Sequence, residues 1–206
     1  MASRRRARPY HHGELRRALL DAAVALVAEH GVSGWTLREA SRRLGVTHAA
    51  PYHHFASKEA LLQGVAEEGF STLAAVLRQV EEGGAADALE GVAQLGQAYV
   101  RFAAEHPSHF RVMFRTGPEG ATAPSLRAIR ASALQPLSAA LGRASAEGQL
   151  ASEEPEDAIL SAWSIVHGLA TLWVDGGVAG MAYQKRPLEQ LTAKVTTALI
   201  EGLRRR

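Results

Sequence analysis

Thr36-Leu-Arg-Glu-Ala-Ser-Arg-Arg-Leu-Gly-Val-Thr-His-Ala-Ala-Pro-Tyr-His-His-Phe-Ala-Ser-Lys-Glu-Ala-Leu61 is the stretch from which the rest of this chain can be read. Thr36 and Glu39 have the spacing of a capping box, in which a hydroxyl and a carboxylate satisfy free N–H groups at a helix start. Leu37, Ala40 and Leu44 fall at i, i+3 and i+7, one apolar stripe on a helix of about two turns. Gly45 supplies the left-handed conformation in which a helix can stop without a Cβ clash. Val46 is placed to tuck under the turn and Thr47 to cap the next helix. Two short helices joined by a three- or four-residue turn form a helix-turn-helix, whose second helix can enter a DNA major groove.

Val46, Tyr52, Phe55, Ser57, Lys58, Glu59 and Leu61, with Thr36, Ala40, Leu44 and Gly45 before them, resemble the DNA-binding signature of the tetracycline-repressor family of transcriptional regulators. The resemblance implies that Tyr52 and Lys58 hold DNA phosphates. Thr36, at a helix N-terminus, can present N–H groups and a hydroxyl to another phosphate. Thr47, His48, Ala49, Ala50, His53 and His54 complete the candidate DNA-binding set. Small residues let the backbone approach base edges, and a methyl group can meet a thymine methyl. Pro51 departs from the pattern: it lacks an N–H and pushes residue 50 away from helical angles. Either the second helix has a distorted first turn or its regular part begins at Pro51.

Charge agrees with a nucleic-acid partner. The 206 residues carry 23 Lys and Arg against 21 Asp and Glu, yet residues 1–60 hold ten basic and five acidic side chains. Six of the nine histidines lie there too. A basic head on a mildly acidic body is the electrostatic footprint of DNA binding; its alternative is an uneven but merely solvated surface. Residues 1–11, with Arg4, Arg5, Arg6 and Arg8 and little apolar content, read as a flexible arm. It is either a phosphate or minor-groove contact or a solubilising tail. With 47% hydrophobic and 21% charged residues the profile is globular. Without 18 consecutive apolar residues, no membrane-spanning helix is expected, and the amino end does not read as a secretory signal. Absence of cysteine excludes disulfides and thiol chemistry and fits a cytoplasmic location.

The expected fold is all-α: a flexible arm (1–11), a three-helix DNA-binding domain (12–60) and a helical ligand-binding and dimerisation domain (61–206). A first helix, about His12 to His30, serves as scaffold and stops at Gly31, with Trp35 and Phe55 sharing its small core. Ser57 caps a long helix to about Glu82, ending at Gly83-Gly84. Further helices are expected over about Ala86–Glu105, Ser125–Gly148 (bent at Pro136) and Pro155–Asp175. The last of these is apolar on nearly every side and so expected to be covered all round. A short HPSHFRVMF segment ends near Gly117-Pro118, and a GGVAGMAY loop leads past Pro187 to a final helix. Its expected stripe is Leu188, Leu191, Val195, Ala198, Leu199 and Leu203.

Enzyme signatures are missing: there is no phosphate-binding glycine loop, nucleophile elbow or H-E-x-x-H. His106 and His109 share a face but lack an adjacent acid, so no metal and no cofactor is expected. Trp163 to Gly168 reads W-x-x-x-H-G and, with HPSHFRVMF, looks like a regulator subgroup named for its Trp-His-Gly signature. Trp163 and His167, four apart, lie on one face. With Tyr99, Phe102, Phe110, Met113, Phe114 and Trp173 they make a candidate ligand pocket, although His167 by itself reads rather as a buried core histidine satisfied by a backbone carbonyl. Family resemblance implies a homodimer formed through the last two helices, a palindromic double-stranded operator and release by a small, mostly apolar effector. A DNA-binding regulator without an effector, and a helical enzyme or carrier of apolar metabolites with a vestigial head, are the alternatives.

Overall fold

The computed structural model describes residues 12–114, 124–152, 154–178 and 185–205. The basic arm, the Gly117-Pro118 turn and residues 179–183 of the glycine-rich loop lie outside them. Among the described residues there are eight α-helices, in order: α1 (His12–His30), α2 (Leu37–Leu44), α3 (Lys58–Glu82), α4 (Ala88–Glu105), α5 (Pro107–Met113), α6 (Pro124–Ala146), α7 (Pro155–Val174) and α8 (Leu188–Leu203). Among the described residues the only extended pairing is an isolated antiparallel bridge, Leu150 to Arg204. The chain divides into two compact units, residues 1–69 with 108–126, and residues 70–107 with 127–206.

In the first unit, α1 buries Leu19, Leu20, Ala23, Leu26 and Val27 against α2 and the residues after it. Thr36 caps α2, its Oγ1 accepting from Glu39 N–H at 3.3 Å. The Glu39 carboxylate turns instead to Arg42, 3.3 Å away, so that contact replaces the expected reciprocal half of the capping box. Gly45 stops the helix at φ 68°, and the Val46 N–H reaches back to the Ser41 carbonyl at 3.0 Å. This is the glycine-ended closure expected there, with orphan carbonyls satisfied. Trp35 and Phe55 are both buried, and Arg16 lies 5.3 Å from the Phe55 ring centroid.

The second motif helix is where the expectation needs correcting. Residues 50–53 form a 3-10 turn, Ala50–His53, rather than an α-helix, and Thr47 is not its side-chain cap. Pro51 has no N–H to give to the Thr47 carbonyl, so Ala50 donates to it instead, at 3.1 Å. That i→i+3 bond winds the segment tighter, with Tyr52 N–H to Ala49 O and His54 N–H to Pro51 O continuing the pattern. The structure therefore joins the two alternatives: the distortion is at the front, and the turn is organised around Pro51.

In the second unit, α4 packs against both α7 and α8, which also pack on each other. Asp87 caps α4, accepting from Glu90 N–H at 2.8 Å. Close approach is set by Gly96, where an added Cβ would lie 3.1 Å from Thr196 Cγ2 and 3.2 Å from Val166 Cγ2. The stripe of α8 is Leu191, Thr192, Thr196 and Leu199, while Ala198 is exposed. Thr192 and Thr196 can be buried because their hydroxyls donate to Leu188 O (2.8 Å) and Thr192 O (3.0 Å).

Helix α7 also departs from expectation. Ala158, Ala162, Val166, Ala170 and Val174 are buried at every fourth position, whereas Leu160, Ile165 and Leu172 are 60%, 43% and 47% exposed. The chain covers one side of the helix and leaves an apolar face open. The same composition makes α7 long and apolar enough to cross a membrane, a property that core helices of soluble proteins share.

Candidate nucleic-acid interface and ligand cavity

The first unit presents a continuous exposed segment beside the α2 closure. Thr36, Thr47, His48, Ala49, Tyr52 and His53 are exposed, Ala50 and His54 are half-buried, and Tyr52 is 58% accessible despite its size. An exposed tyrosine next to a buried Pro51 and Phe55 is held by its neighbours and free at its hydroxyl end, the arrangement for reaching a phosphate. The 3-10 geometry spaces successive side chains about 120° apart rather than about 100°. His48, Ala49 and Ala50 consequently do not line up with Tyr52 and His53 on one regular helical face.

Lys58 is tied into the head by its own contacts. Its Nζ donates to Trp35 O at 2.7 Å and Ser33 O at 3.2 Å, and it sits 4.5 Å from the Trp35 ring centroid. Partial burial holds its ammonium below the ordinary lysine range, with Glu59 opposing that shift. An ammonium has three donors, so one remains for a phosphate. Family position alone gave no sign of these contacts; Trp35, 23 residues upstream, was the available hint. The head's field is also weaker than its residue count suggests. Arg43 forms a two-pronged pair with Glu29 at 2.8 and 2.6 Å, Arg42 pairs with Glu39, and Arg17 bridges Asp21 and Glu68.

In the second unit, residues of α3, α4, α6, α7 and α8 line a partly open apolar cavity of about 40 Å³. Leu73, Leu77, Val92 and Leu95 form its floor, with Leu134, Leu137 and Trp163 as its half-buried side. Tyr99 and Trp163 are the expected pocket residues that reach this wall. His167 stands behind them: the Tyr99 hydroxyl is 2.9 Å from His167 Nδ1, and Trp163 stacks on the imidazole at 5.3 Å. Burial pushes the Tyr99 hydroxyl far above the ordinary phenol range, while a hydrogen bond from Trp163 and the Arg130 charge act the other way. Burial, then Arg130, holds the His167 imidazole below its ordinary value.

Other expected pocket residues lie elsewhere. Phe102 is buried against His106, with ring centroids 5.0 Å apart, and does not line the cavity; nor does Trp173. Phe110, Met113 and Phe114 belong to the first unit, where the two phenylalanine rings lie 5.1 Å apart. Sequence reasoning missed the aliphatic and small members of the wall, among them Ala133 and Gly96. The i, i+4 spacing of Ala133 and Leu137 on α6 was the signal available for that helix.

Residues 19–65 match the pattern described as "Bacterial regulatory proteins, tetR family", and residues 92–198 match "Tetracyclin repressor-like, C-terminal domain". The A-factor receptor protein of Streptomyces griseus is 35% identical over 104 residues, 50% of this chain and 35% of that protein. The HTH-type transcriptional repressor AcnR of Corynebacterium glutamicum is 32% identical over 84 residues, 41% of this chain and 43% of AcnR. The matches thus span between about a third and two-fifths of the curated relatives' length. Among solved structures, a protein of unknown function from Rhodococcus sp. RHA1 superposes with a TM-score of 0.78 and 32% identity, covering 96% of this chain and all of that one. FadR of Bacillus subtilis, solved with stearoyl-CoA, has a TM-score of 0.74 at 20% identity, covering 91% and 98% of the two chains.

Proposed function

Because the chain belongs to the tetR family of bacterial regulatory proteins, we propose that it acts in the cytoplasm as a homodimeric repressor. It binds a palindromic operator and leaves it when a small, mostly apolar effector enters the cavity. The observation that carries this reading is the exposure of Thr47, His48, Ala49, Tyr52 and His53 beside a buried α1–α2 core. The open face of α7, bearing Leu160, Ile165 and Leu172, supports the dimer: apolar patches of this kind are covered by a partner. Two-fold pairing then sets two heads about one DNA turn apart, roughly 34–36 Å. Effector action requires the ligand to favour one head arrangement over the other, since equal affinity shifts nothing. Helix α3 is the element suited to carry that bias, because it contributes Lys58 to the head and Leu73 and Leu77 to the cavity wall.

Substitutions test the assignment of roles. Y52F and K58Q should weaken binding to all duplexes alike, whereas H53A should change the preferred base at one position of each half-site. Equal behaviour of all three overturns the division between phosphate and base contacts. A regulator without an effector is the second reading, favoured by the small cavity; ligand pockets usually reach about 300 Å³ or more. Under the first reading, Leu134, Leu137 and Trp163 must swing aside to admit a guest.

A further inference from the structure

We propose that the effector is an alkyl amine lying in two adjoining chambers, its tail in the apolar cavity and its ammonium in a wider groove beside it, at Glu147 and Gln149. This rests on the reading of the cavity as the effector pocket and names the effector's class. The cavity has little to offer a polar head. Tyr99 and Trp163 are the only residues of its wall with hydrogen-bonding side-chain atoms, and the Tyr99 hydroxyl is already engaged by His167 Nδ1 at 2.9 Å and by Trp163. A head held there loses its hydrogen bonds to water without replacement.

The groove has a volume of about 610 Å³, belongs to the same unit and shares Leu95 with the cavity wall. Both chambers follow the same three helices. Leu77 gives way to Val80 and Glu81 on α3, Leu95 to Gly91 and Ala88 on α4, and Leu137 to Ala140 and Arg143 on α6. Glu147 continues that last face, its N–H bonded to Arg143 O at 2.9 Å. From Leu137 to Glu147 is roughly 15 Å at the rise of a helix, a span for an extended molecule. Together the chambers reach the size of ordinary ligand sites, which the cavity alone does not.

Contacts within the groove select the class of head. Glu81, Asp87 and Glu147 line it. Glu81 meets Arg143 at 3.4 Å, and Asp87 has Arg204 at 3.9 Å and the Glu90 N–H at 2.8 Å. Among the described residues Glu147 has no cationic partner; its Oε2 accepts from Gln149 Nε2 at 2.9 Å. That bond occupies the amide's donor side, while Gln149 Oε1 is buried and has no hydrogen-bond partner. A carboxylate lacking a counter-ion and a buried amide oxygen lacking a donor thus stand on two linked side chains. Buried acceptors of this kind call for a partner. An ammonium brings three donors and a positive charge and serves both oxygens; a hydroxyl brings one donor and no charge, and a carboxylate brings no donor at all.

Decylamine and decanoate share a tail and differ in the head, which makes them the probes. Calorimetric titration of the full-length protein at neutral pH and low salt should give decylamine about tenfold the affinity of decanoate, a gap that narrows as salt rises. A tail seated in the cavity should shift tryptophan emission in the wild type and not in W163F, because Trp163 lines that wall. E147Q keeps the shape and removes the charge, and should bring the two probes within about threefold. Q149E adds a second carboxylate and should tighten decylamine about threefold, a gain that misfolding does not produce. Decanoate bound as tightly as decylamine, or a preference unchanged in both variants, overturns the amine head and leaves the pocket reading intact. Decylamine bound with no Trp163 response overturns the two-chamber seat. If neither probe binds at any chain length from octyl to dodecyl, the pocket reading falls together with this one.

Discussion

The Tyr99 hydroxyl meets His167 Nδ1 at 2.9 Å, joining α4 to α7 across 68 residues of sequence. Burial first, and then the Arg130 charge, favour the neutral imidazole in the folded chain. The folded chain therefore binds the His167 proton less tightly than the unfolded chain, where the imidazole titrates near 6.5. Above that value both states are neutral and the contribution to stability is complete. As pH falls through 6.5 the unfolded chain takes up its proton first, and stability is lost until the folded chain is protonated as well. Urea unfolding between pH 7.5 and 5.5 should show stability declining more steeply in the wild type than in H167Q. Parallel pH profiles would contradict this.

Gly96 sits where α4 touches both α7 and α8. The β-branched Thr196 and Val166 side chains, 3.1 and 3.2 Å from an added Cβ, have little rotamer freedom to yield. Overpacking costs about 1–3 kcal/mol, and replacing glycine within a helix returns about 1 kcal/mol. G96A should thus be less stable by roughly 1 kcal/mol. In that background V166A should cost about 1 kcal/mol less than in the wild type, because it makes the missing room. Additive effects in denaturant melts would show that the site is looser than its geometry.

Lys58 is expected to matter without DNA. Loss of its two carbonyl hydrogen bonds and of its seat over Trp35 should destabilise the isolated protein by about 1–2 kcal/mol in K58A. An ammonium serving only phosphate would leave the DNA-free unfolding curve unchanged.

Helix order was legible because each boundary has a local chemical cause: Thr36, Gly45, Ser57 and Gly84 cap or stop helices where the sequence puts them. Pro51 was equally visible, yet its outcome depended on which carbonyl took the freed donor, and that needed coordinates. The face of α7 was ambiguous for a different reason. Its alanines and leucines look alike on a hydropathy scale, and only packing against α4 decides that the alanines go inward. The aromatic pocket set was overdrawn on the same account. Aromatic residues mark buried volume, but Phe102 fills it while Tyr99 leaves a polar end at a cavity. His167 turned out to have a side-chain partner, where sequence alone allowed either a pocket role or a backbone carbonyl.

Light scattering on the protein with duplexes selected from a random pool tests the dimeric operator grip most directly. The wild type should bind selected palindromes as two chains per duplex, with affinity falling steeply as salt rises. I165R, which places a charge on the open face of α7, should stay folded by circular dichroism, become monomeric and lose preference for the two-half-site duplex over a single half-site. A wild-type chain that remains monomeric and binds no duplex even at low salt would contradict the account.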